Sequence, residues 1–435
     1  MIQRLMERLD ASPTNFQAVQ TIAEALEEAG FRRLLPEEAW SIERGGKYYM
    51  TKNDSAIFAV IAGRKNPSEA GFHIISSHSD SPGFKIKPNA EIYGDGGVVS
   101  LNVEKYGGAV LSTWFDRPLS IAGRVMTRGK DALHPVTHLV DFRRPVCTIP
   151  NLAIHFNRQV NDGYAYSVQK DMKPVMGYFD EEEISLMKSE GGLVKSMLGR
   201  ELGVDPKEII DYELSLYPVV RATLTGVNEE YLQSPRIDDL SMAFTSLEAL
   251  LQTADEETDA WRVMAVFDNE ETGSGTKQGA HSPVLRSLME RFVALAEGEE
   301  RERFLRAVAN SFMISADDAH AWHPNYSDKY DPTNHPVIGG GPVVKINANC
   351  KYMTDADGSA VFRELCREAG VDCQYFVNHS DVAGGSTLGN ILTGQLDLRG
   401  VDMGCAIWAM HSAVETGGVA DHEATACVFA RFYSC

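Results

Sequence analysis

Five short clusters of carboxylates and histidines each stand where an apolar run of the chain stops. They lie in the segments SSHSDSP, SPRIDDLS, FDNEETGS, ISADDAHA and WAMHSAVE. In an open α/β sheet, functional side chains gather beyond the carboxyl ends of the strands. The five clusters therefore converge if their apolar runs belong to one sheet, and this requirement restricts the fold.

Two parts of the chain show the alternation that such a sheet needs. Residues 14–29, TNFQAVQTIAEALEEA, have apolar residues at helical spacing and stop before Gly30. After residue 231 the segment DDLSMAFTSLEALLQTA predicts a helix and WRVMAVFD a strand, and a second helix and strand follow in SPVLRSLMERFVALA and SFMISAD. The pattern predicts an α/β fold with helices on both faces of the sheet.

The intervening part of the chain has a different texture. From Gly83 it consists of short β-type runs separated by Gly and Asp turns, with a charged, helix-like section near 180–202. The simplest division is one α/β domain, residues 1–83 and 231–435, interrupted by a β-rich insertion, residues 84–230.

The clusters carry one kind of chemistry. Imidazole and carboxylate groups without thiolates suit zinc or a similar divalent ion in a hydrolytic site. Ordinary readings stay open for each cluster taken alone, because Asp238 and Asp239 would also serve as helix caps and Glu270 and Glu271 as a solvated turn. The candidates are His78, Asp80, Asp238, Asp239, Glu270, Glu271, Asp317, Asp318, His320 and His411.

The adjacent glutamates, Glu270 and Glu271, need an explanation of their own. Like charges side by side repel each other, and a carboxylate next to an apolar run loses solvation. The pair therefore requires either a compensating cation or a surface position. Gly273 and Gly275 follow it in a segment that also contains GSGTK, which lacks the spacing of a phosphate-binding loop.

Charge and cysteine content exclude several classes of protein. The formal net charge of −20 argues against nucleic acid as a partner, and an acidic ligand would need a local positive pocket. The seven cysteines include no CxxC pair, so scattered free thiols are expected. Since no run reaches about 18 apolar residues and the N-terminus has no apolar signal core, no membrane partner is expected and the cytoplasm is the predicted location.

Taken together, the motifs resemble one known family. SSHSDSPGFKIKP, SPRIDDL, DNEETGSG, SADDAHAWHPNY and MHSAVETGG, in this order, are similar to those of the aspartyl aminopeptidase family of two-metal exopeptidases. NLAIHFNR and GPVVKINANCKY fit as well. The resemblance runs from about Ser12 to the C-terminus, and it implies a mixed-sheet zinc-peptidase catalytic domain with an inserted β-rich oligomerisation domain.

The resemblance also assigns roles to individual residues. It implies two Zn²⁺ ions per subunit, with Mn²⁺ or Co²⁺ as substitutes. Asp238 would bridge the two ions, Glu270 would be the general base, and the peptide bond after Asp238 would be cis. The remaining roles are metal ligation by His78, Asp317, Glu271 and His411, orientation of His78 by Asp80, a contribution of His155 to a neighbouring subunit's site, and substrate contacts by Lys345 and Tyr352. Asp239 and Asp318 depart from the family pattern, which has uncharged residues there.

The implied activity is removal of N-terminal Asp or Glu from peptides, by a tetrahedral dodecamer built from dimers. A preference for neutral or apolar N-terminal residues is the alternative within the same chemistry. A deacylase or carboxypeptidase on a similar scaffold is another reading, against which the β-rich insertion with LAIHFNR argues. A non-catalytic, metal-stabilised binding protein is a third, but such a protein would not need Glu270.

Overall fold

The computed structural model describes residues 1–435, which form two compact units. The larger unit contains Met1–Asp80, Ala222–Met410 and Glu415–Cys435, and the smaller contains Ser81–Arg221 and His411–Val414. The smaller unit thus consists mainly of one continuous insertion into the larger. No helix combines the length and apolar character that spanning a membrane would require.

The chain contains twelve α-helices. In chain order they are α1 Ile2–Ala11, α2 Asn15–Glu28, α3 Pro67–Ala70, α4 Val168–Asp171, α5 Glu181–Ser189, α6 Leu193–Leu202, α7 Ile237–Gln252, α8 Val284–Glu297, α9 Arg301–Ala309, α10 Ala356–Ala369, α11 Leu388–Thr393 and α12 Val419–Tyr433.

Twenty strands accompany them. In chain order they are β1 Arg32–Arg33, β2 Lys47–Lys52, β3 Ala56–Ile61, β4 Phe72–His78, β5 Gly83–Tyr93, β6 Val98–Tyr106, β7 Leu119–Thr127, β8 Val136–Asp141, β9 Val175–Tyr178, β10 Ile209–Pro218, β11 Thr223–Thr225, β12 Tyr231–Ser234, β13 Trp261–Phe267, β14 Phe312–Ala316, β15 Ala319–His320, β16 Val343–Ile346, β17 Gln374–Val377, β18 Arg399–Gly404, β19 Ala406–Trp408 and β20 Glu415–Gly418.

A nine-stranded mixed sheet is the centre of the larger unit. Its order is β1-β2-β3-β13-β4-β14-β18-β16-β17. The four neighbours β13, β4, β14 and β18 run parallel to one another, whereas β3 and β16 run antiparallel to the strands beside them in this group. Because the four parallel strands end on the same side, the segments that follow them meet at one edge of the sheet.

Alternate residues of the central strands enter two separate cores. In β3, Ile57 and Ile61 pack into a core with residues of α2, α7, α10 and α12, while Phe58 and Val60 pack into a core with residues of α8, α9 and α11. Successive side chains of a strand point to opposite faces, and burying each of these large side chains contributes about 1.5–3 kcal/mol. Helices therefore cover both faces, as the alternation of elements predicts.

A five-stranded sheet, in the order β11-β12-β20-β19-β15, completes the larger unit. The smaller unit has a six-stranded antiparallel sheet in the order β8-β7-β10-β5-β6-β9, with α4, α5 and α6 in the same unit. Phe84, Leu101, Ile121 and Leu214 are among the buried residues of its core. The predicted helical section near 180–202 corresponds to α5 and α6.

Candidate active site

Three of the predicted clusters meet at the edge where the parallel strands end. His78 is the last residue of β4 and is paired in register with Phe267, the last residue of β13. Glu270 and Glu271 follow β13 directly, and Asp317 follows β14, the other neighbour of β4. The convergence that the sequence predicts is confirmed for these segments.

Side chains from these segments are close enough to share metal ions. His78, Asp238 and Asp317 each offer a ligand atom within 4.8 Å of the others, and so do His78, Glu270 and Glu271. Asp238 and Glu271 also offer oxygens within 4.8 Å of each other. Asp238 thus lies between the His78 and Asp317 pair on one side and Glu271 on the other, which is the position that a bridging carboxylate requires.

Asp80 holds the histidine and both glutamates. Its Oδ1 lies 3.3 Å from Nδ1 of His78, and its backbone carbonyl lies 2.9 Å from the same nitrogen. The two carboxylate oxygens accept hydrogen bonds from the backbone amides of Glu270 and Glu271, at 3.1 and 3.2 Å. With Nδ1 engaged in this way, Nε2 of His78 faces Asp238 at 3.5 Å and is the nitrogen available to a cation.

Asp238 and Asp239 are not ordinary helix caps. The peptide bond between them is cis, as the resemblance implies. Asp239 is fully buried, and its Oδ2 accepts a hydrogen bond from the backbone amide of His78 at 2.9 Å. The backbone amide of Asp238 donates to Oε2 of Glu415 at 3.0 Å. Both aspartates therefore have non-helical backbone angles within α7 and contacts to distant segments, which an ordinary helix cap does not have.

Lys345 is buried beside the site. Its Nζ lies 3.5 Å from Oδ1 of Asp317, and only 4% of the Lys345 side chain is exposed. The ring of Tyr352, itself buried, is centred 5.8 Å from the same nitrogen. Burial lowers the pKa of Lys345, but Asp317 and the other carboxylates raise it by more, so the ammonium keeps its charge. Lysines are usually solvated, and Lys345 is an exception.

Asp318, the second departure from the family pattern, has structural partners. Its Oδ2 accepts a hydrogen bond from the Ser241 hydroxyl at 2.7 Å, and its Oδ1 accepts one from the backbone amide of Cys405 at 3.2 Å. Asp318 also forms a third close group with Asp238 and Asp239. The two extra carboxylates thus tie α7, β14 and the end of β18 together behind the site.

The site carries more negative charge than the protein itself offsets. Burial raises the pKa of Glu270 to about 9, with Asp317 and Glu271 adding to the shift and His78 opposing it. Burial likewise raises the pKa values of Asp239, Asp317 and Asp318. Seven carboxylates of the larger unit lie around Lys345 and His78, so without a further cation several of them would hold a proton. A donor set of carboxylates and imidazole with this excess charge fits divalent cations, which would offset the repulsion between Glu270 and Glu271.

Three further predicted residues belong to other segments of the chain. His411 belongs with the smaller unit, where its carbonyl accepts a hydrogen bond from the amide of Val110 at 3.0 Å, although its segment is flanked by Met410 and Glu415 of the larger unit. His155 is exposed in an irregular loop of the smaller unit. His320 is exposed in β15 and takes part in none of the close groups.

Sequence reasoning missed two buried carboxylates, one in contact with Asp238 and one that interacts electrostatically with Lys345. Glu415, which is 1% exposed, receives the amide of Asp238, yet it stands in the quoted segment MHSAVETGG without a predicted role. Asp402 is fully buried and accepts hydrogen bonds from the Met353 amide at 2.5 Å and the Thr387 hydroxyl at 2.6 Å. An acidic residue inside an apolar strand, as in GVDMG, is the signal that would have identified Asp402.

Comparison with known protein families gives one match over almost the whole chain. Residues 8–433 match the family described as "Aminopeptidase I zinc metalloprotease (M18)". A probable M18 family aminopeptidase 2 of Clostridium novyi is 46% identical over 430 residues, which cover 99% of this chain and 98% of that protein. A protein of the same description from Pseudomonas aeruginosa is 41% identical and covers 99% of this chain and 97% of that one.

Solved structures with the same fold include two with TM-scores above 0.85. A chain from the cryo-EM structure of the Ape4 and Nbr1 complex matches with a TM-score of 0.95 and 35% identity, covering 99% of this chain and 85% of that one. A chain from the structure of the S. cerevisiae mApe1 dodecamer matches with a TM-score of 0.86 and 28% identity, covering 99% and 95%.

Proposed function

Because the chain belongs to the M18 family of zinc metalloproteases and is a metal-dependent aminopeptidase, we propose that it removes N-terminal residues, preferentially Asp and Glu, by two-metal hydrolysis. The observation that carries this proposal is the placement of Asp238. Asp238 offers a ligand atom within 4.8 Å of those of His78 and Asp317, and also within 4.8 Å of that of Glu271. Glu270 lies in the same close group as His78.

The proposed ligand assignment follows from that placement. Asp238 would be a ligand shared by the two zinc ions, and His78 and Asp317 would complete the ligands of one of them. Glu271 and His411 are proposed as the ligands of the other, His411 on the basis of the family resemblance. Asp80 fixes the ring of His78 and the backbone of both glutamates, so it acts through the ligands and not on the substrate.

In the proposed reaction, the zinc ions supply Lewis-acid polarisation of the scissile carbonyl and a nucleophilic water at neutral pH. The protein supplies the proton transfers. The carboxylate of Glu270 accepts the proton of the attacking water and passes it to the leaving amine. Backbone hydrogen bonds to Asp80 hold the Glu270 segment in place, so the base is positioned before substrate arrives.

Acidic specificity is proposed to depend on Lys345 and Tyr352. An Asp or Glu side chain needs a cation of its own, because the metals would engage the reacting amide and the free amine. The buried ammonium of Lys345 supports this proposal, because it is the lysine that lies beside the proposed ligands. Preference for neutral or apolar N-terminal residues is the alternative, and it follows if Lys345 serves only to offset the charge of Asp317.

The active form is proposed to be a homo-oligomer, a tetrahedral dodecamer built from dimers, in which His155 reaches a neighbouring subunit's site. One of the similar structures is a dodecamer by its description. The loop around His155 exposes Leu152, Ile154 and Phe156 at 60%, 47% and 80%. Three exposed apolar side chains so close together in the sequence favour a surface that is buried against another protein chain. The cytoplasm is the proposed compartment, since all seven cysteines are free thiols.

A substrate panel tests the proposal. The protein is freed of metal with a chelator, reloaded with Zn²⁺, Mn²⁺ or Co²⁺, and assayed on peptides that differ only in the N-terminal residue. We expect metal-dependent release of the first residue, fastest for Asp and Glu, and no cleavage of N-acetylated peptides. Equal activity without metal would refute the two-metal mechanism, whereas fastest release of leucine would refute only the acidic preference.

A further inference from the structure

A pocket in the larger unit, outside the site described above, has an apolar floor and a cationic rim. Its volume is about 290 Å³. Trp40, Met50 and Leu288 are buried and form much of the floor. The charged residues in its lining are Lys52, Lys277 and Arg291, and no carboxylate lines it. This composition is unusual in a chain whose formal net charge is −20.

The three cations of the rim are not neutralised by the protein. Lysines that form ion pairs are Lys47, Lys65, Lys329 and Lys345, and Lys52 and Lys277 are not among them. The guanidinium of Arg291 lies 3.4 Å from the centre of the Trp40 ring, and it donates hydrogen bonds to the backbone carbonyls of Pro36 and Glu38 at 2.9 and 2.7 Å. Arg291 is thus fixed against the floor with its charge uncompensated.

Lys277 stands on a well-anchored loop, the one that contains GSGTK. The side-chain oxygen of Asn269 accepts hydrogen bonds from the Thr276 hydroxyl and the Gln278 amide, both at 2.8 Å. These contacts hold the side chains on either side of Lys277. The loop therefore places Lys277 in the lining of the pocket. This position gives the GSGTK segment a role other than that of a P-loop.

We infer that this pocket binds a small organic anion that has an aromatic or branched apolar body and no ammonium group, such as an aromatic monocarboxylate or monosulfonate. The floor offers apolar contact with Trp40, Met50 and Leu288, and the rim offers charge-assisted hydrogen bonds. A free amino acid is disfavoured because its ammonium would meet three cations. An inorganic anion leaves the floor unused. The ligand therefore differs from the aminopeptidase substrate, which needs a free amine.

The probe for this inference is 8-anilinonaphthalene-1-sulfonate, measured by fluorescence titration and calorimetry on the zinc-loaded protein. We expect one binding site per chain and weaker binding of inorganic phosphate and of N-phenyl-1-naphthylamine, the uncharged analogue. The variants Lys52→Met and Lys277→Met should each weaken probe binding about tenfold. Lys130→Met, an exposed lysine of the smaller unit, should bind as the wild type does.

A second variant separates shape from charge. Ser287, exposed on α8, also lines the pocket, and Ser287→Phe should fill it while leaving all three cations in place. Loss of probe binding in this variant supports the pocket as the site. Unchanged binding in Lys52→Met, Lys277→Met and Ser287→Phe overturns the inference, and so does tighter binding of the uncharged analogue. Peptidase activity is not part of the readout, so failure here leaves the proposed function untouched.

Discussion

The ammonium of Lys345 lies 3.5 Å from Oδ1 of Asp317, and both side chains are buried. Asp317 is a proposed zinc ligand, and Lys345 is proposed to bind the acidic side chain of the substrate. The ammonium of Lys345 would therefore have two roles, because it offsets the charge of Asp317 and would also attract the acidic side chain of the substrate. The two roles predict different consequences when the charge is removed.

The first prediction concerns that charge. Lys345→Met should reduce cleavage of N-terminal Asp and Glu about tenfold to a hundredfold relative to neutral residues, because a charge-assisted hydrogen bond of about 1.5–3 kcal/mol is lost. The ratio of kcat/KM values for acidic and neutral peptides measures it. Zinc content is determined in parallel. Equal losses on both substrates, together with lost zinc, would assign Lys345 to the support of Asp317 instead. Lys351→Met, an exposed lysine nearby, is the control.

The second prediction concerns the base. Glu270→Gln should retain zinc and fold, yet lose about 10²–10⁴-fold in kcat, since the amide cannot accept the proton of the attacking water. Single-turnover kinetics, metal analysis and circular dichroism check it. Glu257→Gln, whose side chain is 81% exposed, provides a matched control that should behave as the wild type. Near-normal turnover in Glu270→Gln would remove this residue from the mechanism.

The third prediction concerns metal removal. Since the buried carboxylates around Asp238 repel one another, stripping zinc with a chelator should lower the Tm and abolish activity, and added zinc should restore both. Free zinc at 100 times Kd contributes about 2.7 kcal/mol to the free energy of unfolding. Asp238→Asn should show a much smaller zinc-dependent change in Tm, measured by calorimetry. The assignment fails if this variant and the wild type gain equal stability from zinc.

Assembly gives the fourth prediction. If His155 completes a neighbour's site, then Glu270→Gln subunits and His155→Ala subunits, each inactive alone, should regain partial activity when they are mixed and reassembled. The reason is that some sites then receive an intact base and an intact partner histidine. Activity per verified mixed oligomer is the measurement. Mixing His155→Ala with itself is the control, and absence of recovery in mixed oligomers argues that each subunit's site is independent.

A half-buried histidine away from the site gives the fifth prediction. His73 stacks on Phe432 with ring centroids 4.9 Å apart, and burial lowers its pKa from 6.5 to about 4. Between about pH 6.5 and pH 4, His73 binds a proton in the unfolded chain but not in the folded one. The free energy of unfolding therefore falls as the pH is lowered through this range. The contribution is about 2 kcal/mol between pH 7 and pH 5. His73→Phe should lose this part of the pH dependence in urea unfolding, and an unchanged slope would contradict it.

The sequence was most informative where local pattern and topology agree. The runs that end at His78 and Asp317 are apolar, short and followed by polar residues, so both their strand character and their convergence could be predicted. The resemblance supplied the cis bond after Asp238, which no local pattern indicates. The domain division stays a prediction, although the pairing of β12 with β20 places residues 223–234 in the larger unit.

Contacts between distant segments could not be predicted. Glu415 contacts Asp238, and Asp239 contacts His78, across long stretches of chain. The sequence around a carboxylate does not indicate which backbone amide will donate a hydrogen bond to it. The same holds for Lys345 on β16, whose ion-pair partner Asp317 follows a different strand, β14. Lysines are mostly exposed, and nothing in the sequence around Lys345 indicates that its side chain is buried.

The hydrogen bonds of Asp80 have a consequence for anyone who wishes to redesign the metal preference of this enzyme. One carboxylate faces the imidazole of His78 and at the same time holds the backbone of Glu271. These two residues are proposed to serve different ions. Lengthening, shortening or neutralising the side chain at position 80 would therefore retune both positions together, and independent control of each ion has to be sought at the ligands themselves.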